Sequence, residues 1–281
     1  MKRNSIVVCG VAAVAWALTG CGGGSETKTA EKQPAAAEGG VYQPTGDEGS
    51  ITGKVAFTGT APKAKAILMD ADSVCAAKHK EPVYPETVVA NKNGTLRNVF
   101  VYVKTGLEGK TFAVPTDPVT IDQDGCQYKP HVLGIRARQN LKVVTSDDTT
   151  HNIHPMPKVN REWNVSQPPK ADPIIQSFSR AEVSVPVKCN QHPWMKAFIN
   201  VVDNPFFAVT GDDGTFELKG LPPGTYEIEA IQEHYGAQTM KVTVAAKGAA
   251  TADFSFKPDQ AYLPSSLKLM PALVLHCCGE E

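Results

Sequence analysis

The sequence predicts an all-β chain. Prolines and glycines, 21 and 23 of them, punctuate short runs rich in Val, Ile, Thr, Phe and Tyr. No long stretch carries apolar residues at helical spacing. The segment "F-F-A-V-T-G-D-D-G-T-F-E-L-K-G-L-P-P-G-T-Y-E-I-E-A" (206–230) adds a direct signal: Asp213-Gly214 sits between alternating runs, and a Pro-Pro-Gly turn leads into another alternating strand.

From the N-terminus, Lys2 and Arg3 precede an apolar run, Ile6 to Leu18, and then "L-T-G-C" (18–21). The run is too short to span a bilayer. It resembles a bacterial lipoprotein signal (1–20), which implies cleavage before Cys21, a lipid on that cysteine and an extracytoplasmic chain anchored to a bacterial membrane, in the periplasm or at the cell surface. Residues 21–48 lack apolar periodicity and read as a flexible tether. Folding is expected to begin near Gly49. Loss of Lys2 and Arg3 takes the formal charge from −1 to −3. That leaves no basic field for nucleic acid.

Seven cysteines divide by position. Cys9 leaves with the signal, and Cys21 takes the lipid. An oxidising compartment favours a disulfide between Cys75 and Cys126. Cys277 and Cys278 lie in a tail (258–281) with no assigned role. Cys189 is then the odd thiol, and an unpaired thiol in an exported protein needs a reason.

Its neighbours supply one. "K-C-N-Q-H-P-W-M-K-A" (188–197) is C-x-x-H-x-x-M, and a short turn can bring its sulfur, imidazole and thioether to one point. A second imidazole is available in "D-D-T-T-H-N-I-H-P-M" (147–156). One thiolate, two imidazoles and a distant thioether make the trigonal site with a weak axial ligand that holds copper for electron transfer. Zinc competes poorly, because structural zinc sites prefer four Cys or His ligands.

"H-N-I-H" followed by "K-C-N-Q-H-P-W-M-K-A-F-I-N-V" resembles the copper loops of the cupredoxins, the amicyanin and plastocyanin type, from about Gln127 to about Asp203. The resemblance implies a Greek-key β-sandwich (95–203) with one type 1 (blue) copper ion. It implies His151, Cys189, His192 and Met195 as ligands, and Asn152 hydrogen-bonded to the Cys189 loop. It further implies that His192 presents its ring edge at the surface as the electron entry, with Pro193 and Trp194 as the docking rim for transient redox partners. Two departures affect loops: "R-Q-N" (138–140) replaces the Gly-Asp that usually opens the strand before the histidine loop, and the segment between His151 and Cys189 is proline-rich. Alternation along a strand puts His151 and His154 on opposite faces, so only one can look at the site. The family match selects His151.

His79, His131, His234 and His276 have no partner at ligand spacing. Neither a Ser-His-Asp pattern, a phosphate-binding glycine loop nor a plausible carboxylate pair emerges, so no enzyme activity is expected. The 204–257 segment resembles carboxypeptidase regulatory-like domains, which are transthyretin-like β-sandwiches. Such domains begin with a strand like "S-I-T-G-K-V-A-F-T-G" (50–59), here far upstream, so residues 49–94 are expected to complete the C-terminal sandwich around an inserted copper unit. The function expected is a lipid-anchored carrier of single electrons. Copper storage, sensing or delivery shares the same ligands, and an adhesion or glycan-binding sandwich with a structural metal is the reading from another class.

Overall fold

The computed structural model describes residues 40–258. In chain order the elements are β1 (Gly49–Phe57), α1 (Ser73–Lys78), β2 (Val89–Ala90), β3 (Leu96–Arg97), β4 (Phe100–Thr105), β5 (Val119–Gln123), β6 (Tyr128–Lys129), β7 (Val132–Arg136), β8 (Asn140–Thr145) and β9 (His151–Pro155). They continue as β10 (Val165–Gln167), β11 (Ile174–Ser177), β12 (Glu182–Lys188), β13 (Lys196–Val202), β14 (Phe207–Val209), β15 (Thr215–Leu221), β16 (Gly224–Gln232), β17 (Gly236–Val244), β18 (Ala249–Thr251) and β19 (Phe254–Phe256). The all-β expectation holds, with α1 as the α-helix among the described residues.

Strands β5 to β13 build one sandwich. A sheet ordered β11-β8-β5-β6 lies against a sheet ordered β10-β9-β12-β13-β7. Alternation supplies the common core: Leu141 and Val143 of β8 and Ile121 of β5 meet Val185 and Val187 of β12 and Ile199 of β13, all buried. The second sandwich packs a sheet ordered β14-β4-β16-β17 over β15, β1 and β18, with β19 also on β1. Its core joins Ile51 and Val55 of β1 to Leu218, Tyr226 and Ile228. β1 runs antiparallel to β15, with Ile51 opposite Leu218, and parallel to β18 and β19.

Two boundaries differ from the sequence reading. A start at residue 95 would assign β3 and β4 to the first sandwich, yet β4 pairs with β14 and β16 of the second. Strand alternation gives a strand its buried face but not its sheet, and β4 has buried residues on both faces because Phe100 packs into a separate cluster with Val132 and Val202 between the sandwiches. Gly134 of β7 lies in that cluster. A Cβ there would fall 2.5 Å from the Phe207 ring, so no larger residue fits without a shift.

The second difference lies within residues 58–88. Their ends stay with the second sandwich, where Ala61 and Val88 pack on its core. The middle crosses to the first, where Met69 and Cys75 are buried in its core and Ile67 and Val83 pack against it. Asp72 caps α1 by accepting from the backbone N–H groups of Val74 (2.8 Å) and Cys75 (3.1 Å). Cys75 and Cys126 are joined by a disulfide spanning 51 positions, a closure that stabilises by about 4 kcal/mol in the chain-entropy account.

Candidate metal centre

Two segments converge at one end of the first sandwich. His151 opens β9 and is fully buried. Cys189 follows the last residue of β12, and the turn from Cys189 to Met195 leads into β13. That turn closes on itself: the Cys189 N–H donates to the Met195 carbonyl (3.3 Å) and the Met195 N–H to the His192 carbonyl (2.9 Å). The His192 N–H points at the Cys189 sulfur (3.4 Å). Met195 is buried in the same core cluster as Cys189.

The donor atoms meet. His151 Nδ1 lies 2.9 Å from His192 Nδ1, and Cys189 Sγ lies 3.7 Å from His192 Nδ1. One nitrogen or sulfur from each of the three falls within 4.8 Å of the others. A single ion bonded to each at about 2.0–2.3 Å spans such a gap. Among the described residues Cys189 is the free cysteine, and it is buried.

Asn152, next to His151, ties the two ligand segments together. Its Oδ1 accepts from the Asn190 N–H (2.7 Å) and from the Cys189 thiol (3.3 Å), while its Nδ2 donates to Asn164 (2.7 Å). His154 is on the other face of β9, with its ring nitrogens on Glu162 (2.6 Å) and Asn190 (3.3 Å). His79 meets the Gly125 carbonyl. His131 bridges the sandwiches, from the Lys196 carbonyl to Glu233. Cys21, His276, Cys277 and Cys278 lie outside the described residues.

Each imidazole turns its Nε2 to a carboxylate. His151 Nε2 is 3.0 Å from Asp147 and His192 Nε2 is 3.1 Å from Asp72. Asp147 is fully buried and multiply held. It accepts from the N–H groups of Gly125 (2.8 Å) and Cys126 (2.7 Å), two successive residues with positive φ that form an anion-binding concavity, and pairs with Lys78 (2.9 Å). Neither carboxylate was named by sequence reasoning. "D-S-V" at 72–74 carries an N-cap signal, but nothing local connects it to a histidine 120 positions away.

Protonation follows from these contacts. Burial opposes charge on His151, but Asp147 and the Cys189 sulfur outweigh it and raise its pKa to about 9. Burial likewise opposes the Cys189 thiolate, yet His151 and nearby backbone N–H groups bring the thiol down to about 6. The His151 ring turns its Nε2 to Asp147 and its Nδ1 to the space it shares with His192 and Cys189. Asp72 is held at about 2 despite its desolvation, through hydrogen bonds from Cys75, Thr149, His192 and Val74.

The exposed ring edge expected at His192 is corrected by the structure. That residue is only 4% exposed, because Asp72 and the 58–88 connection cover it. Pro193 is exposed. Trp194 is partly buried, with its Nε1 donating to the Cys126 carbonyl (3.1 Å) and its ring 5.1 Å from that of His192.

A model of the carboxypeptidase regulatory-like domain matches residues 188–257. No curated protein matches the chain. Among solved structures it is similar to the Cu-containing nitrite reductase of Thermus scotoductus SA-01, with 21% identity over 34% of this chain and 24% of that one and a TM-score of 0.27. An oxidized amicyanin variant gives 14% identity over 36% of this chain and 98% of its own, with a TM-score of 0.28. The purple cupredoxin of Nitrosopumilus maritimus gives 19% over 30% and 99%, with a TM-score of 0.26. The chain spans about a quarter of the nitrite reductase's length. The family match begins at Lys188 and so takes in β13, which the fold pairs with β12 and β7 of the first sandwich. A contiguous match cannot include β1, the strand that the second sandwich takes from residues 49–57.

Proposed function

We propose that the chain is a cupredoxin-type protein holding one type 1 copper ion and carrying single electrons between extracytoplasmic redox partners, anchored to a bacterial membrane by a lipid on Cys21. The observation that carries this reading is the convergence of His151 Nδ1, His192 Nδ1 and Cys189 Sγ in a buried pocket. Two imidazoles, a thiol already lowered toward thiolate and a buried thioether are the donor set of a copper site with a weak axial sulfur. The ligands in this reading are His151, Cys189, His192 and Met195. Copper bound by them supplies a one-electron couple.

The protein's own part is to hold those donors still. Asn152 holds the Cys189 turn against β9 through its Oδ1 on the Asn190 N–H and its own backbone N–H toward the Cys189 sulfur. Asp147 turns His151, and the Cys189–Met195 turn is closed by its own backbone hydrogen bonds. A frame fixed from several sides changes little when the charge changes, which suits electron transfer. Exposed Pro193 and the free part of Trp194 form the docking rim for transient partners, whose interfaces are small. The chain acts as a carrier, and no residue is assigned a catalytic role. The disulfide and the signal-like N-terminus support an extracytoplasmic setting.

The test is the visible spectrum of the mature protein loaded with Cu(II). An intense band from the copper–sulfur bond is expected. A colourless or weakly absorbing copper complex would sink the reading.

A further inference from the structure

On the copper reading above, we infer that Asp72 is a positioning residue for His192, delivered to the metal site by the 58–88 connection and pinned there by the Cys75–Cys126 disulfide. Several independent contacts place it. Asp72 Oδ2 takes His192 Nε2 at 3.1 Å and the Thr149 hydroxyl at 2.9 Å, while Oδ1 caps α1. One turn on, Cys75 is bonded to Cys126, and Lys78 at the end of α1 reaches Asp147 (2.9 Å) and the Ser146 carbonyl (3.3 Å). Asp147 in turn holds His151. The two carboxylates that orient the two imidazoles are thus joined through one short helix.

This has a chemical consequence. A carboxylate on the remote ring nitrogen fixes the tautomer with the proton on Nε2, leaves Nδ1 free to bind, and raises the ligand's basicity. Outer partners of this kind are worth about 10–100-fold in metal affinity. A more basic imidazole and a nearby negative charge both favour Cu(II) over Cu(I), so Asp72 lowers the reduction potential. Covering the ring also keeps His192 from solvent, which slows metal loss.

Asp72→Ser tests this, because serine still caps α1 but cannot reach His192. Wild type and variant are loaded with copper. Release to a Cu(I)-selective chelator is timed, the potential is titrated against mediators, and the His192 Nε2 proton is followed by NMR in the diamagnetic Cu(I) form. The variant is expected to keep its colour, to release copper about 10–100-fold faster, to shift to higher potential and to lose exchange protection of the Nε2 proton. Unchanged release and potential, or a fall in potential, would overturn the role of Asp72. Thr149→Val, which removes the other contact to Oδ2 and leaves the cap alone, should move release and potential in the same direction by less. A larger effect than Asp72→Ser would also overturn it. Absence of the blue band in wild type would instead sink the copper reading itself, so the two failures are told apart.

Discussion

Around Cys189 the sandwich of β5 to β13 buries Asp147, His151, Asn152 and His192, whereas the sandwich built on β1, β4 and β14 to β19 encloses Ile51, Val55, Leu218, Ile228, Phe254 and Phe256. Burying a polar group costs free energy unless it is partnered. The first sandwich carries that cost at one end and meets it with partners for each of the four side chains. The second buries Thr210, Glu229 and Gln232 as well, each bonded to a neighbour, but its core is otherwise apolar and gains about 1.5–3 kcal/mol for each large aliphatic or aromatic side chain. The contrast separates a region that clusters nitrogen and sulfur donors from one held mainly by apolar burial, and it can be attacked from either side.

The largest effect is expected from Cys189→Ser. It removes the thiolate, so the visible band of the Cu(II) protein should vanish completely, while the thermal unfolding of the second sandwich stays in place. Retention of the band would remove Cys189 from the ligand set. Ile51→Ala is the opposite test. Ile51 is fully buried in the second core, so its loss should cost about 2–5 kcal/mol in denaturant unfolding and leave the spectrum unchanged. A bleached site in that variant would show that the two regions are not separable.

Proton release gives a third and graded test. Below about 9 the metal must displace the proton on His151, so apparent copper affinity should rise with pH and level off above that value. The slope should be about tenfold per pH unit between about 6 and 9, and steeper below about 6, where Cys189 also takes a proton. Competition titrations from pH 5 to 10 would measure it, and a flat profile would mean that His151 is neutral in the free protein. The smallest effect is expected at His154, which faces Glu162 and Asn190 away from the site. His154→Ala should leave the visible band nearly intact, and bleaching would make His154 the ligand in place of His151.

The parts legible in the sequence were those written over short distances. C-x-x-H-x-x-M named side chains that one turn draws together, and the alternation of β9 separated His151 from His154. The 206–230 alternation gave β15 and β16 on either side of Pro222-Pro223. What escaped depends on distant chain. His192 was expected at the surface because the cupredoxin loops that its own loop resembles present that ring edge there. The cover comes from Asp72, and a capping aspartate looks like any other until the fold brings it across. Strand β4 was assigned to the wrong sandwich for a similar reason: "F-V-Y-V-K" reads as a strand without saying which neighbour it will pair with.

The position of β1 bears on how the chain comes to be folded. Lys54 donates its N–H to Asp253, 199 positions later, and Val55 pairs with Phe254. During synthesis β1 emerges early and must wait for nearly the whole of the remaining chain before its parallel partners exist. The strands from β5 to β13 form their own sheets and core in the interval. Pairings so far apart in sequence are slow to form, since loop closure is opposed by entropy before any contact rewards it. The first sandwich is therefore able to close first and, through Arg136 on the Ala113 and Asp203 carbonyls, to hold the chain on either side of it together. It then works as a template that shortens the effective loop for the second sandwich. Until that step, β1 is an unpaired strand with Ile51, Val55 and Phe57 uncovered, the segment through which one unfinished copy would associate with another.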